Sequence, residues 1–244
     1  MNDIRAITVC VDYHDYLRIT MPINRFHFSE VMVVTSPTDL KTIEVAASNN
    51  CQVFTTDSFY ANGAQFNKWL ALEEGLDQFG RHGWLCIMDA DIVWPTSASI
   101  DNLKSGYLYS PLRRMMKDFK RYLPPVKDWD SYILHSNVRE WAGYSQIFDS
   151  EDEHLPSTPW HETDWKHAGG ADSFFQNLWP PNRKVRTDWE VLHLGEAGRN
   201  WCGRLTPYLD STQPEDQESK AVCLRKYMQL RKLKGNFDAE KIEH

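Results

Sequence analysis

Short apolar runs that alternate with helical segments fill the first hundred residues, and this alternation constrains the fold more than any other feature. Residues 7–11, 31–35, 53–56 and 84–88 are rich in β-branched and apolar side chains and predict four strands. Strands that alternate with helices predict an α/β fold with a mostly parallel sheet and helices on both faces. Ligands of such sheets bind beyond the carboxyl ends of the strands.

Two helices are predicted between these strands. The first has a start signal in Ser36, Pro37 and Asp39, where Ser36 is the expected cap. The second covers about residues 64–79, and Gly80 and Gly83 mark its end. Its apolar residues recur at spacings of three and four, so they share one face of the helix. They are Phe66, Trp69, Leu72, Leu76 and Phe79.

Charge and cysteine content exclude several classes of protein. A net charge of −7 argues against a protein that coats nucleic acid nonspecifically, because that binding needs Lys and Arg to neutralise phosphates. The five cysteines form no CxxC pair, which is typical of a reducing compartment, and Cys10 and Cys86 are expected in core strands. No apolar stretch reaches the roughly 18 residues of a membrane span. The sequence therefore predicts a cytoplasmic protein without a membrane partner.

The regular pattern fades after Pro95. Residues 104–127 contain one acid and seven basic residues: Lys104, Arg113, Arg114, Lys117, Lys120, Arg121 and Lys127. Residues 149–172 invert this balance, with seven acids against Lys166. A strand is predicted at residues 185–194 and a basic helix at 220–234. Long irregular segments inside a compact domain are usually functional or mobile.

The sequence WLCIMDADIVWP carries the clearest chemical signal. If the buried strand continues in extended form, Asp89 and Asp91 point to the same side. Two carboxylates that converge repel each other unless a cation lies between them, and oxygen ligands suit Mg²⁺ or Mn²⁺. Such a pair also occurs at turns and on solvated edges, so the triplet is weak by itself and gains weight from its place after an apolar strand.

The order of these features resembles a GT-A glycosyltransferase over residues 4–207. The resemblance rests on VDYHDYL, VMVVTS, QFNKWLALEEGL, the DAD triplet, GGADSFF and VLHLG. GYSQIF, AGGADSFF, VLHLGE and NWCGR are particularly similar to the galactosyltransferase-like branch, including small bacterial and phage enzymes. The resemblance implies a single domain, in which residues 1–95 bind the nucleotide, 96–207 bind the donor sugar and acceptor, and 208–244 form a helical tail.

The resemblance also implies roles for individual donor-site residues. Asp12 and Tyr13 would contact the base and ribose, and Asn67 and Lys68 match positions that precede the DxD triplet. Asp89 would face the ribose or the metal. Asp91 would be the principal carboxylate ligand of Mn²⁺ or Mg²⁺, and His193 a further ligand. Arg113 or Arg114 would meet the diphosphate from a flexible loop. The expected donor is a UDP-sugar.

Asp172 follows Gly169 and Gly170 at an expected helix start and matches the position of the base that activates an acceptor hydroxyl. The family's GEDD-like run is GADS in this chain, which leaves Asp164 and Glu162 as alternative bases. Asp172 is equally able to cap its helix.

Several other residues have a purely structural alternative. His193 is either a metal ligand or a core histidine, and Asp12 either contacts the nucleotide or simply ends its strand. The indoles of Trp160, Trp165 and Trp201 either stack on a ligand or close a lid.

The predicted reaction is an inverting transfer of a sugar to a hydroxyl acceptor, with Asp172 as base. A nucleotidyltransferase is the alternative enzyme, although VDYHDYL lacks the glycines of a triphosphate-binding loop. A non-catalytic carbohydrate-binding protein is the third possibility. The two basic segments, 104–127 and 220–234, add hydroxymethylated DNA to a glycan as a conceivable acceptor, although a solvated helix face with a diphosphate loop explains the charges more simply.

Overall fold

The computed structural model describes residues 3–99, 101–116, 126–134, 141, 143–195, 200–206 and 208–209. The chain divides into two compact units, Met1–Arg204 and Leu205–His244, and only four residues of the second unit are described. The predicted helix at 220–234 therefore lies outside the described residues, as do Lys117, Lys120, Arg121 and the side chain of Lys127. The predicted domain organisation stays a prediction.

The first half of the sheet is parallel. Its strands are β1 (Ile4–Val9), β2 (Glu30–Thr35), β3 (Gln52–Thr55) and β4 (Trp84–Asp89). β1 pairs with β2 and β4, and β2 pairs with β3, all in parallel. The four predicted strands are confirmed, although β1 begins and ends earlier than expected. The register places Val9 beside Asp89, so the carboxyl ends of β1 and β4 meet at one edge.

Three helices connect these strands: α1 (His14–Asn24), α2 (Leu40–Ser48) and α3 (Lys68–Phe79). α1, which has Pro22 in its last turn, was not predicted from the sequence. α2 is capped by Asp39, which accepts a bond of 3.1 Å from the Thr42 amide, so the prediction of Ser36 as cap is wrong. α3 is capped by Asn67 and begins at Lys68, four residues after the predicted start of the helix. Gly80 ends α3 with a φ of 85°, as predicted.

The second half of the sheet is mixed. It contains β5 (Ile92–Val93), β6 (Leu108–Met116), β7 (Ile133–Leu134), β8 (Ser145–Asp149) and β9 (Lys184–Leu194), with the short helix α4 (Ala171–Phe175) between β8 and β9. The strand order is β3-β2-β1-β4-β8-β6-β9-β5, with β7 beside β6. β8 runs antiparallel to β4, whereas β6 and β9 are parallel to each other. Of these strands, the sequence predicted only β9.

Apolar side chains cover both faces of the sheet. On one face, Leu17 and Met21 of α1 and Val45 of α2 pack against the strands. On the other face, Leu72 of α3 and Phe175 of α4 do so. The predicted α/β fold with helices on both faces is confirmed. Within the described part of the chain, no helix is both long and apolar enough to span a membrane.

Candidate active site

The connection that follows β1 carries Asp12 and Tyr13. Asp12 is exposed and has a φ of 55°, and its amide donates a bond of 2.6 Å to Oδ2 of Asp39. Partial burial, and next the charge of Asp39, raise the pKa of the Asp12 carboxyl, while Arg204 and His14 oppose the shift. The ring of Tyr13 stacks on Tyr16 at 4.4 Å. One capping carboxylate, Asp39, therefore fixes the backbone of the predicted nucleoside-binding loop.

Asp89 and Asp91 have different partners. Asp89 ends β4 and pairs with the ammonium of Lys68 at 2.5 Å. The chain then turns at Ala90 and Asp91 before β5, so the backbone is not extended between the two carboxylates. The argument that an extended strand points both to one side is therefore wrong.

Asp91 and His193 do come together. His193 pairs with the antiparallel neighbour Ile92 in β5, next to Asp91, and its Nε2 lies 3.3 Å from Oδ2 of Asp91. The amide of Leu194 also donates to the Asp91 carbonyl oxygen at 2.9 Å. Oδ1 of Asp91 is buried and has no hydrogen-bond partner. A buried carboxylate oxygen without a donor is costly, and a cation is one group that satisfies it.

Negative charge accumulates around this pair. Burial raises the pKa of the Tyr16 hydroxyl to about 12, and Asp91 is the next largest cause. Burial also raises the pKa of the Cys10 thiol, with further contributions from Asp39, Asp15 and Asp91. The edge of the sheet where β1 and β4 end is therefore strongly acidic, and a bound anion would need a compensating cation.

Arg113 and Arg114 lie in β6, not in a flexible loop as predicted. Arg114 is committed to structure, because it pairs with Glu190 and Asp130 and donates to the Tyr132 carbonyl oxygen. Arg113 stacks at 4.5 Å on the ring of Tyr144, and its Nε is buried without a hydrogen-bond partner.

The register of β6 with β9 decides which way Arg113 faces. Met115, two residues after Arg113, lies beside His193. Side chains two residues apart share a face of the sheet, and so do directly paired residues. Arg113 is therefore on the same face as His193 and is the better candidate of the two arginines for an anion.

Asn67 is used by the protein itself. Its Oδ1 accepts the bond from Leu70 that caps α3, and its Nδ2 donates to the Thr163 carbonyl oxygen at 2.7 Å. The neighbouring Lys68 is only 9% exposed and holds Asp89. Asn67 and Lys68 therefore act on the site indirectly: Asn67 positions α3 and the segment at Thr163, and Lys68 positions Asp89.

Asp172 does not cap α4. Gly170 occupies the cap position, so no side chain caps the helix. Oδ2 of Asp172 instead accepts from the Gly143 amide at 2.9 Å. Asp172 is half-buried, whereas Asp164 and Glu162 are both exposed. Of the three candidate bases, Asp172 is thus the one that the described residues hold in a fixed orientation.

Residues 160–168 have little regular structure but are fixed along α3. Oε2 of Glu73 accepts from the Trp160 amide at 3.0 Å, and Oε1 accepts from the His161 amide at 3.0 Å and lies 2.6 Å from its Nδ1. Farther along, Trp69 donates from Nε1 to the Ala168 carbonyl oxygen at 2.9 Å. The helix therefore positions the segment that leads to Asp172. Sequence reasoning missed Glu73, whose only signal was an acid close to the apolar face of a helix.

The indoles of Trp160, Trp165 and Trp201 differ in burial. Trp160 is 7% exposed and packs edge to face on Phe148, so it belongs to the core. Trp165 and Trp201 are half-buried and lie close to Gly170 and Gly169, respectively. Trp165 packs, partly buried, against the core cluster that contains Trp160.

The residues present fit a divalent cation with two protein ligands, Asp91 and His193. In the described ranges, no group of three or more His, Cys, Asp or Glu side chains is arranged to hold a metal. Mg²⁺ and related cations are often held by one or two carboxylates plus substrate phosphates and water, so a two-residue site is sufficient. The unpartnered Oδ1 of Asp91 supports this fit.

No protein-family model matches the chain, and no curated protein does. Solved structures give weak matches. A mycobacterial protein is 13% identical, with a TM-score of 0.48, over 79% of this chain and 65% of its own length. Mannosyl-3-phosphoglycerate synthase from Rubrobacter xylanophilus is 12% identical, with a TM-score of 0.47, over 81% of this chain and 68% of its own.

Glucosyl-3-phosphoglycerate synthase from Mycobacterium tuberculosis, in complex with uridine diphosphate, is 13% identical over 93% of this chain and 80% of its own, with a TM-score of 0.46. The chain thus spans less than two thirds of the mycobacterial protein and somewhat more of the two synthases. Identities and TM-scores this low carry no argument about chemistry.

Proposed function

We propose that this protein is a metal-dependent glycosyltransferase that moves a sugar from a nucleoside diphosphate sugar, a UDP-sugar in the first instance, to a hydroxyl acceptor. The observation that carries the proposal is the Asp91–His193 pair at the end of β4, with its buried, unpartnered carboxylate oxygen. Mn²⁺ suits a site of one carboxylate and one neutral imidazole. Asp91 and His193 would hold it, and Asp89 would face the ribose while paired with Lys68.

The electrostatics support a requirement for the metal. A diphosphate brought to an edge that carries Asp12, Asp39 and Asp91 is repelled unless positive charge accompanies it. A divalent cation held by Asp91 and His193 would supply Lewis acidity and would neutralise charge on the leaving diphosphate. Arg113, on the same face as His193, would add a second positive charge.

Asp172 is the proposed base. As the acceptor oxygen attacks the anomeric carbon, the bond from that carbon to the diphosphate breaks and the hydroxyl proton passes to the carboxylate. One displacement of this kind inverts the anomeric centre. The bond from Gly143 fixes one carboxylate oxygen of Asp172 and leaves the other to receive the proton.

The finer assignments are also proposals. They comprise the galactosyltransferase-like branch with its small bacterial and phage members, the roles of Asp12 and Tyr13 in binding the nucleoside, and a cytoplasmic location. The last is supported by the free thiols of Cys10, Cys51, Cys86 and Cys202.

The proposed acceptor is a glycan or, alternatively, hydroxymethylated DNA. The basic residues that suggested DNA lie mostly outside the described ranges, and Arg114 is committed to ion pairs. Salt separates the two, because binding of a polyanion weakens steeply with ionic strength.

A thermal-shift panel tests the proposal. UDP, GDP, CDP and their sugars are compared with and without Mn²⁺, because a ligand that binds only the folded state raises the melting temperature. We expect a Mn²⁺-dependent shift with one nucleotide and slow hydrolysis of its sugar. Binding without hydrolysis or transfer would indicate a carbohydrate-binding protein, and pyrophosphate release from a nucleoside triphosphate would indicate a nucleotidyltransferase.

A further inference from the structure

Residues 200–204, which follow β9, contact both sides of the candidate active site. On one side, Arg204 forms a two-point ion pair with Asp15, at 2.6 and 2.8 Å, with both side chains at most 6% exposed. Its Nη1 also donates to the Asp12 carbonyl oxygen at 2.8 Å, and Nδ2 of Asn200 donates to the Tyr13 hydroxyl at 2.8 Å. These contacts join the segment to the loop that is proposed to bind the nucleoside.

On the other side, the same segment contacts the residues just before α4. The Ala168 amide donates to the Trp201 carbonyl oxygen at 2.8 Å. The Trp201 ring lies so close to Gly169 that a Cβ at this position would be 2.7 Å from it, which only glycine avoids. Gly169 is three residues before Asp172, so the contact reaches the helix that carries the proposed base.

Charge and stacking make the Arg204 end of this connection specific. The guanidinium lies 4.9 Å from the ring of Tyr13 and 5.7 Å from that of Tyr16, which are themselves stacked. A planar fork that binds a carboxylate at two points while it lies against aromatic rings is a geometry that lysine cannot reproduce. Arg204 thereby fixes both the position and the orientation of the segment at its α1 end.

We propose that residues 200–204 form a bridge that holds the nucleoside-binding loop in register with the base Asp172, and that Arg204 is its positioning residue. The inference rests on the proposed function. Transfer needs donor and base to be aligned within a fraction of an ångström, whereas hydrolysis of the donor by water does not need an aligned acceptor. Loosening the bridge should therefore reduce transfer more than hydrolysis.

The test compares Arg204→Gln, Arg204→Lys and the control Arg5→Gln. Arg5 is also a buried arginine that binds backbone carbonyls, but it lies near the start of β1, at the opposite edge of the sheet. With a UDP-sugar and Mn²⁺, we expect the ratio of transfer to hydrolysis to fall about tenfold or more in Arg204→Gln, less in Arg204→Lys, and not in Arg5→Gln. An unchanged ratio in Arg204→Gln, or an equal fall in Arg5→Gln, would overturn the proposal.

Hydrogen exchange gives a readout that does not depend on turnover. Loss of the bridge should speed amide exchange both at residues 12–17 and at 167–172 in Arg204→Gln, but in neither segment of Arg5→Gln. Faster exchange at only one end would overturn the bridge even if the enzyme is active. A wild-type protein without hydrolysis or transfer would refute the proposed function, and the exchange data would still decide the bridge. If Arg204→Gln does not fold, Asn200→Ala replaces it in both measurements.

Discussion

Glu73 is expected to make a large contribution to stability, and Glu73→Gln measures it. The carboxylate is 5% exposed and accepts from the amides of Trp160 and His161, from His161 Nδ1 and from Arg81 Nη2, at 2.6 to 3.0 Å. Glutamine keeps one of the two carboxylate oxygens as an acceptor and replaces the other with an NH₂ group. That NH₂ group faces the two donors whose bonds the lost oxygen accepted. Two buried donors then lose their acceptor.

The magnitude follows from those two donors. Each buried donor left without a partner costs about 1–3 kcal/mol, and breaking a buried ion pair by removing one partner costs about 3–5 kcal/mol. Arg81 keeps its bonds to the Glu73 carbonyl oxygen and to Asp77, so the loss of stability should lie near the lower end of the range for a broken buried ion pair. We expect the free energy of unfolding to fall by about 3 kcal/mol.

Urea denaturation followed by tryptophan fluorescence measures this loss as a change in midpoint at constant slope. The matched control is Asp77→Asn, which removes the other acidic partner of Arg81 but from a side chain that is 68% exposed. Such a surface pair contributes at most about 1 kcal/mol. If Glu73→Gln lost no more stability than Asp77→Asn, the argument that Glu73 holds residues 160–161 on α3 would be refuted.

Three further outcomes are expected. Burial raises the pKa of Glu73, but the bonds and charges of His161 and Arg81 outweigh it and lower the pKa overall. The ionised Glu73 therefore stabilises the fold above the usual carboxyl range, and this stabilisation is lost as pH falls through the lowered pKa, so the free energy of unfolding should depend less on pH in Glu73→Gln than in the wild type; parallel acid-unfolding profiles would contradict this. Asp172→Asn should abolish transfer while the Mn²⁺-dependent binding of UDP persists, and NMR of the wild-type product should show inversion; full activity of the variant, or retention, would remove Asp172 from the base role. Arg113→Ala should raise the KM for the donor about tenfold or more while the protein stays folded, whereas an unchanged KM would exclude contact with the diphosphate.

The parallel half of the fold was predictable because its signals are local. β2, β3 and β4 are short apolar runs, and the apolar face of α3 has helical spacing. α1 was missed because HDYLRITMPIN mixes charged residues with an interior proline, Pro22, which ordinarily argues against a helix. β6 and β8 were missed because the first contains Pro111, Arg113 and Arg114 and the second is only five residues long. Their pairing depends on distant strands that no local pattern reveals.

The sequence allowed candidate residues for the site to be chosen, but it did not reveal the contacts between them. Asp91 was singled out because it follows a buried strand and His193 because of the family resemblance, and the structure brings them together through the pairing of β5 with β9. The partner of Asp89 is Lys68, 21 residues earlier, and no spacing pattern predicts this ion pair. Contacts such as Gly143 with Asp172 depend on tertiary packing and were not accessible from spacing.

The most direct test of the central claim is calorimetric titration of UDP into the wild-type protein and Asp91→Asn, with and without Mn²⁺. Asp77→Asn serves as a control that removes an exposed carboxylate of α3 that is not part of the proposed metal site. We predict that Mn²⁺ tightens UDP binding by at least about tenfold in the wild type and in Asp77→Asn, and that this gain is lost in Asp91→Asn. Full Mn²⁺-dependent binding by Asp91→Asn, or a wild-type protein that binds UDP equally well without the metal, would contradict the assignment of Asp91 as a metal ligand.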